Sequence, residues 1–152
     1  MFSDTVEYAM RASVHLAYSA PNACTTEEIA DATKVPRAYL SKVLQGLSRA
    51  GIVRSQRGIG GGMTLARDPA RLTLLEVVSA VAPLRRIREC PLGISSHGST
   101  LCALHRRLDE AYAGFEAALR DTTLADLLND NSEIKPLCDT GAAAVRREGV
   151  PV

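Results

Sequence analysis

No stretch of this 152-residue chain approaches the roughly 20 consecutive apolar residues needed to cross a bilayer, although 46% of it is apolar. That excludes a helical membrane protein. The start, Met1-Phe2-Ser3-Asp4, lacks the basic and then apolar layout of a secretory signal, so a cytoplasmic location is expected. A nucleotide-binding glycine loop is also missing, and so is any acid–base constellation outside a cysteine- and histidine-bearing loop late in the chain. A small metal or redox enzyme built on that loop is the one catalytic reading left, and the chain is expected not to be an enzyme. Net charge is nearly absent too, at +1, but its distribution is uneven. Acids avoid residues 34–71, where Lys34, Arg37, Lys42, Arg49, Arg54, Arg57, Arg67 and Arg71 face Asp68 alone, giving +7 there and −6 elsewhere. One basic module on an acidic body is the electrostatic footprint of a nucleic-acid binder.

Within that module the order of signals is informative. Residues 4–19 repeat apolar positions at helical spacing (Val6, Ala9, Met10, Ser13, Leu16, Ala17), with Ser3 or Asp4 as N-cap, and Pro21-Asn22 ends the run. Thr25 and Glu28 form a capping box for a short helix over 26–33. Pro36 stands where a first helical residue needs no N–H, and a third helix runs from there to about Ala50, where Gly51 stops it. Leu40, Val43, Leu44 and Leu47 make its apolar stripe. Its other face, with Arg37, Ala38, Ser41, Lys42, Gln45 and Arg49, is polar and basic. Two helices joined by a tight turn, the second basic, predict a helix–turn–helix. Residues 52–65 follow at once, as two short β-type runs around a loop with four glycines and an arginine at its base. Glycine lets such a hairpin lie close against another surface, as the wing of a winged helix does against DNA.

Thr73 and Glu76 form a second capping box, for a short helix ending near Val81 before Pro83. Residues 84–100 hold no sustained period, and a loop of that length in a small protein is more often functional than idle. A long helix is predicted from about Leu101 to Arg120, with Leu101, Leu104, Leu108, Ala111, Phe115, Ala118 and Leu119 in one stripe. A second copy of the same helix is the simplest cover for it, the alternative being that it folds back on its own domain. A short helix over 123–128 follows. The expected organisation is mainly α: a winged helix–turn–helix domain over 1–83, a sensor loop over 84–100, a dimerisation helix and short final helix over 101–128, and a disordered tail over 129–152.

Ser55-Gln56-Arg57-Gly58-Ile59-Gly60-Gly61-Gly62-Met63-Thr64-Leu65, followed by Leu75-Glu76-Val77-Val78-Ser79-Ala80-Val81, resembles the Rrf-type family of bacterial winged-helix regulators. The resemblance covers about residues 2–128. It implies a homodimer crossed by the long helix, with two recognition helices and two wings on a roughly palindromic operator in double-stranded DNA, controlling transcription. Arg37, Tyr39, Ser41 and Lys42 are expected in the major groove. Arg57 is expected at phosphate or in a narrow minor groove, within a wing contact that includes Arg54, Ser55, Gly58 and Gly60.

Many members of the family sense through a metal cluster in the loop before the long helix, held by three cysteines six positions apart and, in the cluster-assembly regulator, a histidine three beyond. Here Cys90, Cys102 and His105 match the outer cysteines and the histidine, but Ser96 stands at the middle cysteine. Two thiolates and an imidazole imply a small, two-iron iron–sulfur cluster, which needs one more ligand. Cys102 and His105, three apart on a helix, can reach one metal. The fourth ligand is expected to be Glu7 of the partner subunit, as in some relatives, with His97 in the loop as the alternative and His15 a more distant one. A cluster-free regulator of the same fold, switched by cysteine oxidation or by a partner protein, remains open beside it. Cys24 reads as packing, and Cys138 lies in the tail.

Overall fold

Local signals set the helix boundaries of the first half almost residue by residue. The computed structural model describes residues 3–94 and 100–137. Helix α1 spans Asp4–Ser19, α2 Thr26–Thr33 and α3 Arg37–Arg49. The first begins after Ser3, whose side chain makes no capping bond, and ends at Ala20, ahead of a cis peptide to Pro21. The second is closed by the expected box: Glu28 N–H donates to Thr25 Oγ1 at 3.2 Å, and Thr25 N–H donates to Glu28 Oε2 at 2.7 Å. Lys34 ends α2 in the left-handed region at φ 57°. Pro36 is the N-cap of α3 rather than its first residue, and Gly51 at φ +70° turns the chain out of the helix.

Strands β1 (Val53–Gln56) and β2 (Gly62–Leu65) form an antiparallel hairpin in which Val53 faces Leu65 and Gln56 faces Gly62. A 3-10 turn at Pro69–Arg71 leads into α4 (Leu74–Val81), whose capping box pairs Thr73 and Glu76 as expected. The long helix α5 spans Ala103–Arg120, two residues shorter than the sequence suggests, because Cys102 is its N-cap. Thr123 and Asp126 close a third capping box at the start of α6 (Leu124–Asn129). Residues 130–137 carry neither helix nor strand, and the remainder of the expected tail lies outside the described residues.

Helix α1 is the centre of the packing, with α2, α3, α4 and α6 all against it. Its small residues Ala9, Ala12, Ser13 and Ala17 are buried and admit the larger Leu16, Ile29, Leu40, Leu47 and Val77 around them. Full burial of each of these large side chains stabilises by about 1.5–3 kcal/mol. Gly46 brings α3 close to the end of α4: a Cβ there would stand 3.1 Å from Val81 Cγ1.

After α5 the chain comes back to the body. Leu74 N–H donates to Thr122 O and Leu124 N–H to Leu72 O, both at 2.9 Å, and Leu124 is fully buried. Helix α5 is therefore a spur roughly 27 Å long, tied down at its C-terminal end. Leu119 is its one buried residue, Phe115 packs on the core, and Leu104 and Leu108 remain exposed.

Candidate nucleic-acid interface and thiol–histidine loop

The outward face of α3 is open. Arg37, Ala38, Tyr39, Ser41, Lys42, Gln45 and Arg49 are all exposed, while Leu40, Val43, Leu44 and Leu47 anchor the opposite side. Among the described residues no carboxylate pairs with Lys42, Arg49, Arg54 or Arg57. Arg37 does have a partner, Glu27 of α2, at 3.1 Å. Both side chains are more than 60% exposed, so exchanging that carboxylate for another anion costs little. Arg67 is bound to Glu76 at 2.6 Å, so this member of the basic cluster serves the fold. Ser41 Oγ donates to Arg37 O at 3.1 Å, which fixes its hydrogen and leaves its lone pairs outward.

Tyr39 has a neighbour that sequence reasoning missed. Its ring lies 6.1 Å from that of Tyr8 on α1, tilted by 58°. The two rings line a cleft of about 190 Å³ together with Lys42 and Arg49. Tyr8 lies off the apolar stripe that the sequence marks on α1, and nothing in that spacing reveals a ring 31 positions later.

The wing stands beside this face, for Met63 of β2 borders the same shallow cleft as Ser41, Gln45 and Ser48 of α3. Its loop turns through Gly58 and Gly60, at φ +102° and +74°, and closes with Gly61 N–H donating to Gly58 O at 2.9 Å. Arg57 and Gly58 are exposed, and Ile59 stands fully out at the tip. Arg54 lies along the hairpin, its Nε donating to Thr64 Oγ1 at 3.3 Å, and Ser55 is exposed on the same strand. The base is clamped by Cys24. Cys24 N–H donates to Met63 O at 3.0 Å, and Met63 N–H donates to Cys24 O at 2.7 Å. Gly62 makes that approach possible, since a Cβ on it would lie 2.5 Å from Cys24 O. Cys24 is thus buried packing with a definite role in holding the wing.

In the loop ahead of α5, Cys102 Sγ lies 3.5 Å from His105 Nδ1, the one-turn pairing expected of their spacing. Cys90 is half-buried and opens a turn in which Gly93 N–H donates to Cys90 O at 3.0 Å. His97 and Ser96 lie outside the described residues, as does Cys138. Glu7 is engaged on its own helix, accepting from Arg11 Nε at 2.9 Å. His15 is half-buried, and burial lowers its pKa against the opposing pull of Glu28, so it belongs to the α1–α2 packing. Thiolate and imidazole donors suit an iron–sulfur centre chemically. Among the described residues of one chain, however, no three His, Cys, Asp or Glu side chains converge to hold a metal. Two candidate donors, Cys102 and His105, are together.

A helix–turn–helix followed by a glycine wing and a projecting helix is also what comparison with known proteins returns. Residues 2–130 match the model of the Rrf2 family, described as an iron-dependent transcriptional regulator. The chain belongs to the Rrf2 family. An Aquifex aeolicus protein named as an HTH-type transcriptional regulator is 33% identical over 132 residues, covering 85% of this chain and 92% of that one. Among solved structures, the IscR of T. potens superposes with a TM-score of 0.73 at 23% identity, over 88% of this chain and 89% of its own. CymR, the global cysteine regulator of B. subtilis, gives 0.70 at 21%, over 84% and 95%. At such identities the two structures establish the fold, a mainly helical winged helix. As a member of the Rrf2 family the protein is a DNA-binding transcriptional regulator. Among the described residues no helix is long and apolar enough to cross a membrane.

Proposed function

We propose that this Rrf2-family regulator acts as a homodimer that reads an operator with α3 and the wing, its affinity set by the chemistry of Cys90, Cys102 and His105. The observation carrying the DNA half is the open cationic face of α3, on which Lys42 and Arg49 have no carboxylate partner among the described residues, beside a wing clamped to the body. Arg37, Tyr39, Ser41 and Lys42 enter the major groove. Arg54, Ser55, Arg57, Gly58 and Gly60 lie against the backbone or the minor groove, where the absence of side chains at the glycines allows close approach. Dimerisation rests on the exposed apolar edge of α5, namely Leu104, Leu108 and Tyr112, next to a cleft of about 400 Å³ lined by Val6, Val78, Leu84 and Phe115.

For the sensor, the family description as iron-dependent and the Cys102–His105 pair favour a two-iron cluster held by Cys90, Cys102 and His105, with the partner subunit's Glu7 as fourth ligand. His97 is the alternative. When bound, such a centre supplies an oxygen-labile electron switch. Glu7 would have to leave Arg11, an exposed i,i+4 pair that offers little resistance. A ligand donated across the dimer would tie the state of the loop to the spacing of the two recognition helices, and so to the register with two half-sites. That only two donors converge among the described residues favours a second reading. Cys90 and Cys102 would then form a disulfide, giving two electrons and two protons to a peroxide.

Two measurements test these readings. On a duplex selected by the protein from a random pool, Arg57→Ala is expected to weaken binding and to reduce the salt slope by roughly one unit. Ser41→Ala is expected to change the ranking of operator variants. Equal effects of both substitutions on selected and random DNA would overturn sequence reading by α3. Anaerobic reconstitution with iron and sulfide is expected to give a visible chromophore that Cys90→Ala, Cys102→Ala or His105→Ala removes and Cys24→Ala or Cys138→Ala leaves. Loss with His97→Ala but not Glu7→Ala moves the fourth ligand into the loop. A colourless parent protein overturns the cluster in favour of the disulfide.

A further inference from the structure

Cys90 and Cys102 are separated by a loop, yet the chain on either side of that loop is fastened at one residue. Arg86 Nε and Nη2 donate to Asp109 Oδ1 and Oδ2 at 2.6 and 2.5 Å, and the Ile87 backbone N–H donates to the same Oδ1 at 2.9 Å. Among the described residues this is the one bidentate ion pair. It also joins positions 23 apart, whereas the pairs along α5 are local. The Asp109 side chain is only 17% exposed. The Arg86 guanidinium holds its carboxyl below the usual range, helped by the Ile87 N–H and the nearby charge of Arg88.

The reach on the two sides matches. Along α5, Asp109 lies one turn past His105, and Cys102, His105 and Asp109 fall at i, i+3 and i+7 on one face. Cys102 is thus roughly 10 Å from Asp109 along the axis. On the other arm, Cys90 is three residues beyond the fastened Ile87, a span of at most about 11 Å. The arm runs back toward the start of α5, because Arg86, Ile87 and Arg88 share one cleft of about 370 Å³ with Leu101 and Asp109. At Cys90 the chain turns, the turn closed by Gly93 N–H donating to Cys90 O at 3.0 Å.

We propose that Arg86 and Asp109 are positioning residues, a clasp that holds the two arms of the sensor loop side by side and so keeps Cys90 within reach of the Cys102–His105 pair. This rests on reading the loop as the sensor. Among the described residues Cys90 does not itself join the pair, so the clasp shortens the distance it has to travel.

The test uses the reduced full-length protein and dibromobimane, which links two nearby thiols and needs neither iron nor an oxidant. It therefore reports on the clasp whatever the outcome of cluster reconstitution. Peptide mapping is expected to show Cys90 linked to Cys102 within one chain. Arg86→Ala and Asp109→Ala should each slow that linkage by about tenfold, as the effective concentration of one thiol at the other falls. The double variant should be no slower than either single one, because both remove the same contact. Arg86→Lys, which keeps the charge and loses the fork, should be intermediate. The melting temperature and random-DNA binding of the variants should match those of the parent, since neither residue lies in the α1–α4 body. An unchanged linkage rate, additive slowing in the double variant, or linkage between chains would overturn the clasp.

Discussion

The body over α1–α4 and the spur of α5 with its preceding loop solve opposite problems. In the body every apolar stripe finds its cover within the chain: Leu16, Ile29, Leu40, Leu47 and Val77 are almost fully buried, and two capping boxes satisfy the helix ends. Along α5 a stripe of similar quality buries Leu119 alone. Its donors are likewise half assembled, with Cys102 beside His105 and Cys90 held by a clasp some way back along the chain. The body can hold its geometry without help. The spur presents unfinished surfaces, as a module must if a second copy and a chemical signal are to complete it. In the proposed function DNA reading and signal input are thereby kept in separate places, joined through α4 and the start of α1.

The contrast is broken most severely at the wing base. Gly62→Val places a Cβ where Cys24 O already stands 2.5 Å away and forces a side chain onto φ +156°. We expect a loss of about 3–4 kcal/mol in urea unfolding and loss of operator binding, because the hairpin can no longer pair with Cys24. A variant with parental stability would show that the close approach is not needed. The spur should respond in the opposite way. Leu108→Glu puts a carboxylate into the proposed seam and is expected to weaken association by about 3 kcal/mol, a factor of roughly 150, while the melting of the body stays as before. Sedimentation showing a dimer of parental strength would remove α5 as the interface.

The smallest expected effect sharpens the comparison within the body. Burial lowers the pKa of His15 from its ordinary 6.5, and Glu28 only partly opposes this, so the unfolded chain takes up the proton more readily. Stability is then fully present above about pH 6.5 and falls as the pH drops through the range between the unfolded and the lower folded value. His15→Gln should flatten that part of the urea midpoint against pH. A midpoint that rises as the pH falls through the same range would reverse the assignment.

What the sequence determined by itself is whatever a few neighbouring residues can decide. The boxes at Thr25–Glu28 and Thr73–Glu76, the left-handed exit at Gly51 and the glycine hairpin all formed where the spacing predicts them, because each depends on hydrogen bonds or steric limits over three or four positions. The pairing of Cys102 with His105 was legible for the same reason. The start of α5 was not, since Cys102 serves as a cap and Leu101 stays outside the helix. Tyr8 against Tyr39, Cys24 across from Met63 and Arg86 on Asp109 belong to the tertiary structure alone. Each joins residues more than 20 positions apart, and no local periodicity encodes such a meeting. It is decided by how α1 packs the body, where α5 leaves it, and which side chains are left within reach once the apolar faces are buried.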